Sequence, residues 1–239
     1  MTAIQVLSAR APQMALQKLF TDFTRQTDHA VTASYGTVGA IGERFKAGEA
    51  ADLLILSPSG LAALGDSLIA GGATEVARAG LAVAVRSGAV AVRSGAVARD
   101  LATPQAFKAT LLAARSLSYS DPKAGGSAAA YFATLLERLG IAHDVNAKAT
   151  LGRNGHHVAE LVADGTAELG ISFLSELVAI KGVTIAGPLP AELQNHTVYA
   201  AAVAVASLES EAAQALMAWI RRPQADATWR AAGLEPSGR

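Results

Sequence analysis

Short apolar runs that alternate with segments of helical spacing constrain this fold more than any other feature. The clearest run is Asp52–Leu56, in which four consecutive apolar residues follow an aspartate. A strand with no polar alternation is typical of the centre of a sheet that is covered on both faces. A helical pattern follows, from Ser59 to about Ala70. Strands that alternate with helices in this way indicate βαβ units, so we expect an α/β fold with mainly parallel sheets.

The same alternation continues along the chain. The predicted strands are Ile4–Leu7, Ala30–Tyr35, Asp52–Leu56, Leu81–Val85, Ser116–Tyr119 and Glu168–Phe173, with two antiparallel segments, Val183–Ala186 and Thr197–Val205. The predicted helices are one from about Pro12, then Gly39–Ala47, Ser59–Ala70, Thr103–Ala114, Ser127–Leu139, His156–Ala163, Glu209–Arg221 and Gln224–Ala232. Pro12 suits the first turn of a helix because it has no N–H to leave unpaired, and Ser127 is a predicted N-cap.

Composition and charge exclude several classes of function. Twenty Lys and Arg balance twenty Asp and Glu, so no nucleic-acid partner is expected, because such binding needs clustered positive charge. The chain has no cysteine, which excludes disulfides, thiolate nucleophiles and cysteine-bound metals. The residues after Met1 form no export signal. We therefore expect a cytoplasmic protein as the chain is written, or a periplasmic one if this is a mature form restarted with methionine.

A short internal duplication interrupts the pattern. Ala84–Val90 and Ala91–Val97 are identical copies of AVRSGAV. Two short copies cannot build a solenoid, so we interpret one copy as strand and the other as extra loop before Thr103.

Four turns that precede helices carry small or polar residues: Ser8–Ala11, Gly36–Gly39, Gly125–Ser127 and Asn154–His156. The start of a helix presents unpaired N–H groups and a partial positive charge, which suit an anion. Ordinary capping and turn chemistry is the better explanation of any single one of these turns. Four of them in one topology favour an anion pocket.

Several of these segments carry a family resemblance. Ser34–Gly39, Gly48–Ser57, Tyr119–Ser127 and Ala167–Phe173 follow one another in an order and spacing that resemble the molybdate-binding-protein-like branch of the periplasmic solute-binding proteins. These proteins have the type II periplasmic binding fold and serve ABC transporters. The resemblance runs over nearly the whole chain.

The resemblance implies an α/β protein of two lobes, each a mainly parallel sheet flanked by helices, with the ligand cleft between them. Lobe one would consist of residues 1–80 completed by 189–239, and lobe two of residues 81–188. The implied partners are a small-molecule anion and, if the protein is exported, an ABC transporter permease.

The helix starts and the resemblance together define a set of candidate ligand-binding residues at the ends of predicted strands. They are Ser8, Arg10, Ala11, Thr37, Val38, Ser57, Gly126, Ser127, Asn154, Gly155, His156 and Phe173. No cofactor is expected. A metal site is not expected either, because the adjacent His156 and His157 cannot easily chelate one ion and no carboxylate lies at ligand spacing.

The resemblance also indicates which ligand is disfavoured. Relatives that bind molybdate use hydroxyl side chains after the first strand and at the second helix, and a tyrosine from the second lobe. The corresponding positions here are Ala11, Val38 (with Thr37 beside it) and Phe173. A buried oxyanion without these donors would lose about 1–3 kcal/mol for each missing hydrogen bond. We therefore predict an organic anion, most plausibly a carboxylate, rather than molybdate.

Two residues leave the function open between binding and catalysis. Arg10 could grip a carboxylate through both of its terminal nitrogens, or be a solvated side chain near a loop. His156 could face the ligand, or form a surface pair with His157. The main hypothesis is capture of a carboxylate by closure of two lobes. The alternative is a cofactor-independent isomerase or tautomerase of a di- or tricarboxylic acid, with His156 as the base and Arg10 as the carboxylate grip. A transcription-factor effector domain is a weak third reading, because no helix-turn-helix module accompanies the chain.

Overall fold

The computed structural model describes residues 2–88, 101–124 and 126–237. Its strands are β1 Thr2–Ala9, β2 His29–Gly36, β3 Leu53–Leu56, β4 Thr74–Arg86, β5 Leu117–Ser120, β6 Ala149–Gly152, β7 Leu169–Phe173, β8 Val183–Pro188, β9 His196–Val203 and β10 Glu235–Pro236. Its helices are α1 Gln13–Gln26, α2 Val38–Lys46, α3 Pro58–Ala62, α4 Pro104–Ala113, α5 Ser127–Arg138, α6 Ala142–Asn146, α7 Gly155–Ala163, α8 Leu174–Leu177, α9 Ser210–Arg221 and α10 Asp226–Ala231.

These elements form two compact units. Unit 1 contains Met1–Ala79 and Thr197–Arg239, and unit 2 contains Gly80–His196. The chain passes from one unit to the other within β4 and returns at the start of β9. Residues 189–196, which the sequence analysis places in the first lobe, belong to unit 2.

The sheet of unit 1 has β1 between two parallel neighbours. Along β1 the pairing with β2 runs from Thr2 opposite His29 to Ala9 opposite Gly36, and Ser8 also lies opposite Ile55 of β3. The strand β9 is antiparallel to β3, as the sequence predicts for this segment. Since β1, β2 and β3 are parallel, their carboxyl ends meet at one edge of the sheet.

An amphipathic helix covers the sheet of unit 1. The buried residues of α1 include Leu16, Leu19 and Phe23, which follow the spacing of one helical face. Phe23 stacks on His29 at a centroid distance of 6.0 Å and meets the edge of Trp219 at 5.5 Å. Because α1 packs on this face of the sheet, the β1–α1 turn must lead from the end of β1 towards the same face.

The sheet of unit 2 repeats this arrangement. The central strand β5 is parallel to β6, with Ser120 opposite Gly152, and parallel to β7, with Tyr119 opposite Ile171. Both β7 and β8 are antiparallel to β4. The predicted α/β class is confirmed, while parallel and antiparallel pairs occur together in both units.

Some predicted elements differ in extent. The helix predicted for Ser59–Ala70 ends at Ala62, because Gly65 adopts a φ of 51° and Leu68 then bridges to Ala204. Ser127 is the first residue of α5 rather than its N-cap. Gly126 occupies the cap position without a side-chain hydrogen bond.

The duplicated segment falls only partly within the description. Ala84, Val85 and Arg86 of the first copy belong to β4, which agrees with the interpretation of one copy as strand. The second copy, Ala91–Val97, lies outside the described residues, so its interpretation as an extra loop stays a prediction.

Candidate functional site

In unit 1 the candidate residues come together at the carboxyl ends of three parallel strands. Continuing the register of β1, β2 and β3 by one or two residues brings Arg10, Thr37 and Ser57 to the same level. This is the edge at which open α/β sheets bind ligands. The order of strands and turns in the sequence is sufficient to predict this convergence.

Two of these residues cap the helices that follow. Thr37 Oγ1 accepts a hydrogen bond from Ala40 N at 3.2 Å, and Ser57 Oγ accepts one from Gly60 N at 3.2 Å. Their oxygens are therefore partly used by capping. Ser57 Oγ also lies within hydrogen-bonding distance of Ser59 Oγ, at 3.2 Å, whereas the Thr37 hydroxyl keeps a proton that can be donated.

Val38 contributes to packing rather than to hydrogen bonding. Its Cγ1 fills the space where a side chain on Gly60 would be, so the first turns of α2 and α3 lie against each other. The half-buried Val38 supplies no oxygen donor to the edge shared by Arg10, Thr37 and Ser57.

Arg10 follows β1 directly and is half-buried. Its guanidinium makes no hydrogen bond or ion pair with any other residue in the described part of the chain. By contrast, Arg44 pairs with Glu49 and Arg25 with Asp22. A half-buried arginine that pairs with no carboxylate among the described residues is suited to an anion from outside the chain.

The neighbours of Arg10 have little free hydrogen-bonding capacity. Ser8 is fully buried and donates its hydroxyl proton to Ala9 O at 2.9 Å, and Ala11 is buried and apolar. Tyr35, opposite Ser8 on β2, has a buried hydroxyl with no hydrogen-bond partner among the described residues. Burial raises the pKa of Tyr35 to about 12, so this hydroxyl stays protonated at neutral pH. The sequence analysis did not single out Tyr35 as a site residue.

In unit 2 the register brings a second group of candidate residues to one edge. Asp121 N donates to Gly152 O at 2.8 Å, which continues the β5–β6 pairing to the level of Arg153. On the other side, the β5–β7 register brings Asp121 level with Phe173. Gly126 and Ser127 lie a few residues further on, at the start of α5, and Ser127 is exposed.

Two side-chain hydrogen bonds hold the first turn of α7. Asn154 is the N-cap, and its Oδ1 accepts a hydrogen bond from His157 N at 3.0 Å. His157 Nδ1 accepts one from Arg153 N at 3.1 Å. The side chain of His157 is therefore turned back to the β6–α7 turn. His156 is half-buried, and its Nδ1 atom is buried.

A buried carboxylate lies beside this turn. Glu176 is 7% exposed, and its Oε2 accepts a hydrogen bond from Ser172 Oγ at 2.9 Å. Glu176 Oε2 and Ser172 Oγ both occupy the space that a Cβ on Gly155 would need. Sequence reasoning missed Ser172 and Glu176, although their spacing of four residues in an apolar segment was a usable signal.

Phe173 is buried at the end of β7, where its backbone precedes α8. Its side chain supplies no oxygen donor to this edge. Among the described residues, no group of three or more His, Asp and Glu side chains lies close enough together to bind a metal ion. No helix in the described ranges is long and apolar enough to cross a membrane.

Solved structures with the same fold are periplasmic binding proteins. The molybdate-binding protein of Azotobacter vinelandii has a TM-score of 0.76 at 22% identity, with 98% of this chain and 100% of that chain covered. A sulfate-binding protein of Mycobacterium tuberculosis has a TM-score of 0.74 at 18% identity, with 99% and 87% covered. These likenesses show the type II periplasmic binding fold that the sequence motifs predict.

Sequence comparison identifies the family. The model of the bacterial extracellular solute-binding proteins matches residues 4–235, so the chain belongs to this family. The chain is also 32% identical over 242 residues to an aconitate isomerase from a Pseudomonas species, with 98% of this chain and 88% of that protein covered.

Proposed function

We propose that this protein captures a small polycarboxylate of the aconitate type by closure of its two lobes. The observation that carries the proposal is the half-buried Arg10 guanidinium, which has no carboxylate partner among the described residues, at the edge shared by Thr37 and Ser57. A guanidinium binds a carboxylate through two parallel hydrogen bonds, and such charged hydrogen bonds contribute about 1.5–3 kcal/mol each. The identity to an aconitate isomerase supports a carboxylate of this size.

The remaining candidate residues also favour a carboxylate over a tetrahedral oxyanion. Ala11, Val38 and Phe173 offer no side-chain donors, and the hydroxyl proton of Ser8 is already used within the chain. A planar carboxylate needs fewer surrounding donors than molybdate, whose oxygens point in four directions. The start of α2, at the same edge as Arg10, would bind a further carboxylate of the ligand.

Calorimetric titration tests the proposal directly. The protein is titrated with trans-aconitate, citrate and molybdate in separate experiments. We expect saturable binding of at least one of the two tricarboxylates and no saturable heat with molybdate. Molybdate binding without tricarboxylate binding would contradict the proposal.

A second candidate function is isomerisation of the bound acid, favoured by the same relative. In aconitate a base would remove a methylene proton, and a proton would return to the former vinylic carbon as the double bond moves. His156, in its neutral form, is the proposed base, and Arg10 would fix the adjacent carboxylate.

The family description favours a function outside the cytoplasm, and delivery of the ligand to an ABC transporter permease would accompany the binding function.

A further inference from the structure

The buried Glu176 carboxylate lies against the backbone of α7. An added Cβ at residue 155 would overlap Glu176 Oε2, and a Cβ is only about 1.5 Å from its Cα, so this oxygen is in van der Waals contact with Gly155. The hydrogen bond from Ser172 Oγ to the same oxygen, at 2.9 Å, fixes the carboxylate there. The absence of a side chain at residue 155 is what permits this approach.

His156 is the next residue along the chain. Consecutive Cα atoms are about 3.8 Å apart, so the Glu176 carboxylate is within about 7 Å of the His156 Cα, a separation that an imidazole turned towards it would span. Two local features disfavour an imidazolium at this position, namely burial and the partial positive charge at the start of a helix. A carboxylate beside the same turn opposes both effects, because it favours the charged form of a neighbouring base.

Few other titratable groups can act on His156 from the elements that pack most closely on α7. The strands β6, β7 and β8 carry no titratable side chain, and β5 carries only Tyr119, whose hydroxyl donates to Asn146 Oδ1 at 2.6 Å. From α8 the contribution is Glu176 itself, and Asp121, directly after β5 and level with Arg153, is a second carboxylate at this edge. Along α7 and its flanks, Arg153 is exposed, His157 is bonded back to Arg153 N, Glu160 is exposed, and Asp164 follows the last turn.

We propose that Glu176 is a positioning residue for His156. Fixed by Ser172, its carboxylate orients the imidazole and stabilises the charged form of His156 at the start of α7. The imidazolium then gives unit 2 a positive charge and an N–H donor for a ligand carboxylate. This last step rests on the proposed function, whereas the pairing of Glu176 with His156 does not.

Proton NMR titration of the protein without ligand tests the pairing. The chain has five histidines, and His156→Gln identifies the resonance of interest by its disappearance. In Glu176→Gln we expect the titration midpoint of His156 to fall by about one pH unit or more. Glu160→Gln is the matched control, because it removes an exposed carboxylate from the same helix and should leave the midpoint unchanged.

An unchanged His156 midpoint in Glu176→Gln would overturn the inference. If that variant does not fold, the wild-type protein alone decides. A His156 midpoint above about 6.5, the ordinary value for histidine, supports the inference, and a midpoint at or below it overturns the inference.

Ligand binding separates this inference from the proposed function. Affinity for trans-aconitate should fall as the pH rises through the His156 midpoint, since the imidazolium is lost, and Glu176→Gln should move that fall to lower pH. A shifted midpoint without binding of any carboxylate contradicts the proposed function and leaves the pairing intact. Binding of trans-aconitate with no shift of the midpoint contradicts the pairing alone.

Discussion

Gly155→Ala should destabilise this protein even though alanine is the better helix former. The residue opens α7, and its backbone is not in the left-handed region, so helix propensity alone predicts a gain of up to about 1 kcal/mol. The added methyl group would overlap Glu176 Oε2 and Ser172 Oγ, both of which are buried. Overpacking of a well-packed site costs about 1–3 kcal/mol. Against the full gain from helix propensity, the net loss should be up to about 2 kcal/mol, which lowers the melting temperature by about 2–4 °C for each kcal/mol.

Gly39→Ala is the matched control. Gly39 lies in the first turn of α2, and an added Cβ there meets no atom within 4 Å. This substitution should raise stability by about 0.5–1 kcal/mol, because alanine has less conformational freedom to lose than glycine. Thermal unfolding followed by circular dichroism compares both variants with the wild type. Gly155→Ala with wild-type or higher stability would refute the close approach of Glu176 to α7.

Two further predictions concern proton transfer and the tyrosine hydroxyls. If the protein is an isomerase, incubation with aconitate in D2O should place deuterium in the methylene group, as measured by NMR. His156→Gln should abolish this exchange. The absence of exchange in an acid that binds to the protein would contradict the enzyme hypothesis. Tyr35→Phe should leave the urea midpoint unchanged or raised, because its buried hydroxyl has no partner among the described residues. Tyr119→Phe should lose about 1 kcal/mol with its bond to Asn146, and equal effects of the two substitutions would contradict this assignment.

Much of the fold could be predicted because its strands are apolar and its helices have a single apolar face. All four residues of β3 are buried, as a continuous apolar run predicts for a central strand. The short strand β6 was missed because two of its four residues, Thr150 and Leu151, are exposed and give no pattern of burial. The early end of α3 was not predicted, because a glycine such as Gly65 is compatible with both a helix and a turn.

The part of the candidate site that is positioned by parallel strands was predictable. Arg10, Thr37 and Ser57 share one level because of strand register, and register follows from the order of the elements. The contact of Glu176 with Gly155 was not predictable, since it depends on how closely α7 packs on α8 and on the end of β7. Gly170 shows the same closeness, because an added Cβ there would stand 2.6 Å from Val162 Cγ2. Such distances arise from the packing of particular side chains, and the spacing of residues along the chain does not predict them.

The most direct test of the central claim is calorimetric titration of Arg10→Ala with trans-aconitate. We expect the affinity to fall by roughly 10-fold or more relative to the wild type, because the loss of even one of the two charged hydrogen bonds costs about 1.5–3 kcal/mol. Arg25→Ala is the control, because it makes the same change of charge about 20 Å away, at the far end of the 14-residue helix α1. This control should bind as the wild type does. Equal affinities of Arg10→Ala and the wild type would contradict the claim that this guanidinium grips the ligand carboxylate.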